Sequence, residues 1–279
     1  MKDIGEFSIV QTYTHDFVAK SNGETFRVFV SPMQPERSAT PVSVVYSTDA
    51  NVQYGTFVET ARMMILAGEI EPLILVGIGY PVDQLKDFAS RRNFDLSPSP
   101  DPDFVPRATI GASSPPARFG GARAFLDFIE HELSPALEAE YNASPDDRGI
   151  CGHSFGGLFA AYALLQPKPA FQRYIIGSPS LWWNRRELFA SEIERFESGE
   201  GLRGRVFISA GELEESPLSP ASLPRRMVSN AIEFAGALAV RGYPGLSVRT
   251  HVFPGESHVS VIGPTYARGL RVLYGTSPA

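Results

Sequence analysis

Apolar residues recur along the chain with two periods that take turns: short strand-like runs separated by longer helical stretches. Residues 7–19 and 25–31 are rich in β-branched and aromatic side chains and flank Ser21-Asn22-Gly23, which predicts two strands joined by a turn. Residues 42–46 and 73–80 are unbroken apolar runs of the kind that form buried strands, and 58–67 between them has helical spacing. A strand, helix, strand order implies a right-handed crossover and parallel pairing. Strands are further expected over 148–152, 174–176, 206–209 and 248–253. Helices are expected over 121–141, 158–165, 185–196, 224–240 and 263–273. In the first of these Phe125, Phe128, Ile129, Leu133 and Leu137 mark one face. This succession predicts an α/β fold: a mostly parallel sheet with helices on both faces, led by N-terminal antiparallel strands.

Only residues 81–116 break the pattern. Proline, serine and aspartate dominate there, as in Leu96-Ser97-Pro98-Ser99-Pro100-Asp101, and the expectation is one long loop, functional or disordered. The alternation resumes after it, so the loop lies within a single domain covering 1–279 rather than between two.

Composition narrows the function classes. A 43% hydrophobic, 20% charged chain of 279 residues is ordinary for a globular domain. The net charge of −6, with acids and bases interspersed, argues against a nucleic-acid partner. Cys151 is the only cysteine, which excludes an intrachain disulfide. No apolar run is long enough to span a bilayer, and none follows the opening Met1-Lys2-Asp3, so a cytoplasmic location is expected.

The chemistry is carried by Gly152-His153-Ser154-Phe155-Gly156-Gly157, between a predicted strand and a predicted apolar helix. In that context G-x-S-x-G is a nucleophile elbow: a strained turn lifts the Ser154 hydroxyl above the sheet. The helix N-terminus points its positive end at a developing oxyanion, and the Phe155 amide is one donor. Serine needs a base. Of five histidines, His258 alone stands in a loop after the last strand and before the last helix, the base position in the order Ser, acid, His. The acid belongs after the strand over 206–209, where Glu212, Glu214 and Glu215 all fall. Glu214 is favoured because the acid often sits three residues after a glycine such as Gly211, with Glu212 the alternative. The second oxyanion donor is expected after the third strand, at the Asp49 amide. No zinc-ligand spacing or phosphate loop is visible, so neither metal nor organic cofactor is expected.

Several stretches together resemble the esterase D-like "putative esterase" branch of the α/β-hydrolases. They are Asp49-Ala50-Asn51, Arg91 to Pro98, Phe125 to Leu133, the elbow, Ser178-Pro179-Ser180-Leu181-Trp182-Trp183, and Gly255-Glu256-Ser257-His258. The last two look most like the siderophore-ester hydrolases. The resemblance implies an open site at the carboxyl ends of the strands, with Trp182 or Trp183 and the Arg91-Arg92 segment lining a cleft for a small-molecule ester. The arginines would there hold a carboxylate or catecholate-like anion. Tyr46-Ser47-Thr48-Asp49 departs from the Leu-Asp-Gly more usual in relatives. Some siderophore hydrolases also work with a Ser-His dyad, which leaves Glu214's role open. Three activities fit: a serine ester hydrolase, an acyltransferase using the same acyl-enzyme, and a non-catalytic binding protein on this fold.

Overall fold

In the computed structural model, residues 8–33, 40–82, 85–104, 118–217 and 223–276 are described, the side chains of 85 and 86 excepted. One eight-stranded sheet organises them: β1 (Tyr13–Val18), β2 (Thr25–Pro32), β3 (Val42–Ser47), β4 (Ile74–Gly79), β5 (Ala143–His153), β6 (Arg173–Gly177), β7 (Gly204–Gly211) and β8 (Leu246–Phe253). Their order is β1-β2-β4-β3-β5-β6-β7-β8. The pairs β1/β2 and β2/β4 are antiparallel and all others parallel, as the patterning predicts.

The unbroken apolar runs are explained by burial on both faces. Because neighbouring side chains in a strand point oppositely, Val44, Tyr46, Ile74, Val76, Ile150, Tyr174, Ile176, Val206 and Ile208 feed one core. Val45, Leu75, Cys151, Ile175 and Phe207 feed the other. The second core is closed by α1 (Ala50–Leu66) and a C-terminal helix, Ile262–Tyr274, through Phe57, Tyr266 and Leu270. The first is closed by α2 (Leu85–Leu96), the continuous stretch α3 (Ala122–Phe128), π-turn Ile129–Leu133 and α4 (Ser134–Tyr141), and α5 (Phe155–Leu164). Two further helices, α6 (Trp183–Glu197) and α7 (Met227–Val240), precede the C-terminal helix, α8. Among the described residues, no helix is long and apolar enough to cross a membrane.

Three expectations change. The strand expected over 7–19 is confined to Tyr13–Val18, because Gln11 turns the backbone with φ 53°; Phe7 lies outside the described residues. Helix α1 begins at Ala50, not near 58, since Ala50, Gln53, Tyr54, Phe57, Val58 and Ala61 form a buried stripe whose apolar period is hidden by Gln53 within it and by exposed Asn51 and Thr56. The loop expected over 81–116 contains α2. Its buried positions include Asp95, and its helical period is therefore masked by charge. Residues 83–84 and 105–117 of that stretch lie outside the described residues.

Candidate active site

Ser154 stands between the end of β5 and the start of α5 with φ 62° and ψ −116°, a conformation costly for any residue with a side chain. The strain persists because the turn is over-determined. The Ser154 N–H donates to the Gly177 carbonyl at 3.0 Å, and the Ser154 carbonyl accepts from Leu158 at 2.9 Å and Ser180 at 3.1 Å. The flanking glycines are needed for space. A Cβ on Gly152 would sit 2.1 Å from the Gly156 carbonyl oxygen, and one on Gly156 would sit 2.2 Å from Thr48 Oγ1. The loop after β3 is thus pressed against the first turn of α5, which brings Asp49 beside Phe155.

From Ser154 a chain of hydrogen bonds runs through two further loops. His258 Nε2 lies 3.0 Å from Ser154 Oγ, and His258 Nδ1 lies 2.5 Å from Glu214 Oε2. The second Glu214 oxygen accepts from Ser178 Oγ and the Gly211 N–H, both at 2.6 Å. Glu214 is almost wholly buried. Burial alone would raise its carboxyl, but the His258 hydrogen bond and charge, with Ser178 and Gly211, outweigh that and hold it below the usual carboxylate range. This arrangement can pass the serine proton to the imidazole while the carboxylate fixes the ring's orientation.

The other two glutamates have different partners. Glu212 accepts the Gly255 N–H at 2.8 Å, and the Leu213 N–H donates to the Glu256 carbonyl at 3.0 Å, so this segment anchors the loop that carries His258. Glu215 accepts from the Ser229 N–H and hydroxyl at 2.7 and 2.6 Å, in the first turn of α7. Glu214 alone of the three reaches the imidazole.

The hydroxyl opens into a cleft of about 420 Å³ whose walls include Phe104, Phe155, Trp182, Leu213, Met227 and the guanidinium groups of Arg92 and Arg225. A larger groove of about 590 Å³ between β8 and α8, lined by Arg205, Arg249, Arg268 and Arg271, shares no residue with it. The structure brings Trp182 and Arg92 to the catalytic cleft but not their neighbours. Trp183 is fully buried, donating its Nε1–H to the Ser99 carbonyl at 2.9 Å. Arg91 turns the other way along α2, over the Tyr80 ring at 5.0 Å, and pairs with Glu24 at 3.3 Å.

Some neighbours of the site were invisible to pattern reading. Buried His153 packs its ring 4.6 Å from that of His258. Burial, then the His258 charge, press its pKa down to about 3, so it is neutral at neutral pH. Its only trace in the sequence is its place within the elbow. Arg225, 5.0 Å from the Trp182 ring centre, left no trace.

With this geometry in view, the similarities of the chain are informative. Residues 20–256 match the family described as putative esterase. The ferri-bacillibactin esterase BesA of Bacillus subtilis is 32% identical over 95% of this chain and 90% of its own. A siderophore enterobactin esterase of Emericella nidulans is also 32% identical, over 87% of this chain and 85% of its own. The crystal structure of the BES protein from Bacillus cereus superposes with a TM-score of 0.82 at 28% identity, covering 98% of this chain and 99% of that one. The chain belongs to the putative esterase family, on its siderophore-ester hydrolase side, and is a carboxylic ester hydrolase.

Proposed function

We propose that the chain hydrolyses small aryl or acyl esters of the siderophore type through an acyl-enzyme on Ser154. The observation that carries this reading is the unbroken Ser154–His258–Glu214 hydrogen-bond chain opening into an aromatic, cationic cleft. Ser154 Oγ attacks the ester carbonyl carbon while His258 Nε2 takes the hydroxyl proton. The resulting oxyanion is received by the Phe155 and Asp49 amides, at the positive end of α5. Collapse of the tetrahedral species expels the alcohol, which takes the proton back from His258. Water then repeats the attack on the acyl-enzyme, giving its proton to His258. His258 gives that proton to Ser154 Oγ as the acyl–serine bond breaks, the carboxylic acid leaves and Ser154 is restored.

Relatives named for bacillibactin and enterobactin esters support the substrate class. The cleft supports it independently: Trp182, Phe155 and Phe104 offer flat apolar faces for an aryl group, and Arg225 supplies positive charge for an anionic one. The test is a substrate screen with wild type and Ser154→Ala across short acyl, aryl, feruloyl and trilactone esters. Turnover of the aryl trilactones, abolished in Ser154→Ala, is expected. Product analysis with added alcohol separates hydrolysis from acyl transfer. Absence of turnover on every ester, together with resistance of Ser154 to organophosphate labelling, would overturn the proposal.

A further inference from the structure

Among the described residues, Arg92 is the cation that contacts both residues assigned above to the oxyanion. Its Nε and Nη2 fork onto the Asp49 carboxylate at 2.5 and 2.8 Å, occupying both oxygens. Its guanidinium also lies 5.6 Å from the centre of the Phe155 ring. We propose that Arg92 is a positioning residue that holds the amides of Asp49 and Phe155 in register, rather than a binder of the substrate's anionic groups. The proposal rests on the oxyanion assignment above.

Three observations support it. Asp49 occupies the N-cap position of α1, where an aspartate ordinarily accepts a hydrogen bond from its own helix, yet it makes no side-chain cap. Its carboxylate is committed to Arg92 instead. Secondly, Asp49 is held in the left-handed region, φ 59° and ψ 32°, so its peptide planes need an external restraint. Thirdly, the ion pair is largely shielded, with the side chains 16% and 1% exposed. A shielded pair gains little stability over a well-packed apolar replacement, so geometry rather than stability explains its presence. With its Nε/Nη2 edge engaged by Asp49, the guanidinium keeps only its outer Nη1/Nη2 edge for any carboxylate or catecholate.

The test is steady-state kinetics on the full chain with p-nitrophenyl acetate, a neutral ester too small to need an anion site. Arg92→Gln, Arg92→Lys (which keeps the charge but loses the fork) and Asp49→Asn are each expected to lower kcat on the order of 10- to 100-fold. KM should stay within about twofold. The double variant Arg92→Gln/Asp49→Asn should be no slower than the slower single variant, because both break one contact. Unchanged kcat on the neutral ester, with KM raised only for anionic or catechol esters, would make Arg92 a substrate binder and overturn the proposal. So would losses that multiply in the double variant. If the Arg92 variants fail to fold, wild-type kcat in Asp49→Asn alone overturns it. Failure of the underlying reading is separately visible, as activity retained in Ser154→Ala.

Discussion

Asp95 lies on α2 three positions beyond Arg92, wholly buried, with the Arg91 charge and the Tyr80 hydroxyl the main groups that favour its charged form. Burial drives its carboxyl up from 3.8 to about 7, against the pull of the Arg91 charge. An acid whose folded value lies above its unfolded one favours the folded state fully only below the unfolded value. That contribution is lost as pH rises from about 4 to about 7 and stays lost above. The interval between 3.8 and about 7 amounts to about 4 kcal/mol at ~1.4 kcal/mol per tenfold. Asp95→Asn keeps the shape and removes the ionisation. The variant should match wild type near pH 4 and exceed it at pH 8, the gap growing by about 2–3 kcal/mol between pH 5 and pH 8. Urea unfolding followed by tryptophan fluorescence measures that gap at each pH, and Trp182 in the cleft wall and Trp183 buried beside it report the transition. A gap that is the same at pH 5 and pH 8 would show that Asp95 is not ionised at cost in the folded protein, and the reasoning would fail.

Glu214→Gln should lower kcat by at least about 100-fold on any ester, because a neutral amide cannot offset the charged imidazole; a rate within about threefold of wild type would instead mark a Ser-His dyad. Because the folded Glu214 carboxyl is held below 4.5, its contribution to stability is present above that value and lost as pH falls through the folded value, so the stability gap between wild type and Glu214→Gln should narrow below about pH 4. Gly156→Ala places a Cβ 2.2 Å from Thr48 Oγ1 and should cost kcat on the order of 100-fold by displacing the Asp49 loop. Within a helix the alanine would otherwise be favoured, so unchanged kcat would refute the contact, whatever the melting temperature does.

What could be read without coordinates was what local rules dictate. Glycines crowded around a serine, a strand before it and an apolar helix after it have few physical explanations, and the structure shows the crowding in the 2.1 Å approach at Gly152. A lone loop histidine was equally conspicuous. Sequence ranks Glu214 first of the three glutamates but does not settle the choice, because their roles depend on which backbone amides face each carboxylate: Gly255 for Glu212, Gly211 for Glu214, Ser229 for Glu215. Neighbouring pairs posed a related problem. Successive residues of a helix point about 100° apart, which sends Arg92 to the cleft and Arg91 onto Tyr80. At the bend before α6, Trp182 and Trp183 part in the same way. Helix α2 itself was hidden because buried Asp95 and shielded Arg92 stand among its inward positions, and charge is what a hydrophobic period cannot register.

The parallel pairing of β3, β5, β6, β7 and β8 explains why residues so scattered in sequence meet. These five strands are consecutive in the sheet and share one direction, so their carboxyl ends lie along one edge. Asp49 follows β3, Ser154 follows β5, Ser178 follows β6, Glu214 follows β7 and His258 follows β8. Neighbouring strands stand about 4.8 Å apart, so β8 lies roughly 14 Å from β5 and a side chain at its tip cannot reach the serine. A histidine that meets Ser154 must therefore come from a loop that doubles back over β7, and the length of Pro254 to Val261 serves that return. A loop of this kind has little packing of its own, so its position is set by what it crosses. Glu212 and Leu213, at the tip of β7, bind Gly255 and Glu256 in passing, and Glu214, one residue further, receives the imidazole. The acidic segment after β7 thus holds the loop and orients the ring at once, which is why it is rich in glutamate although only one carboxylate meets His258.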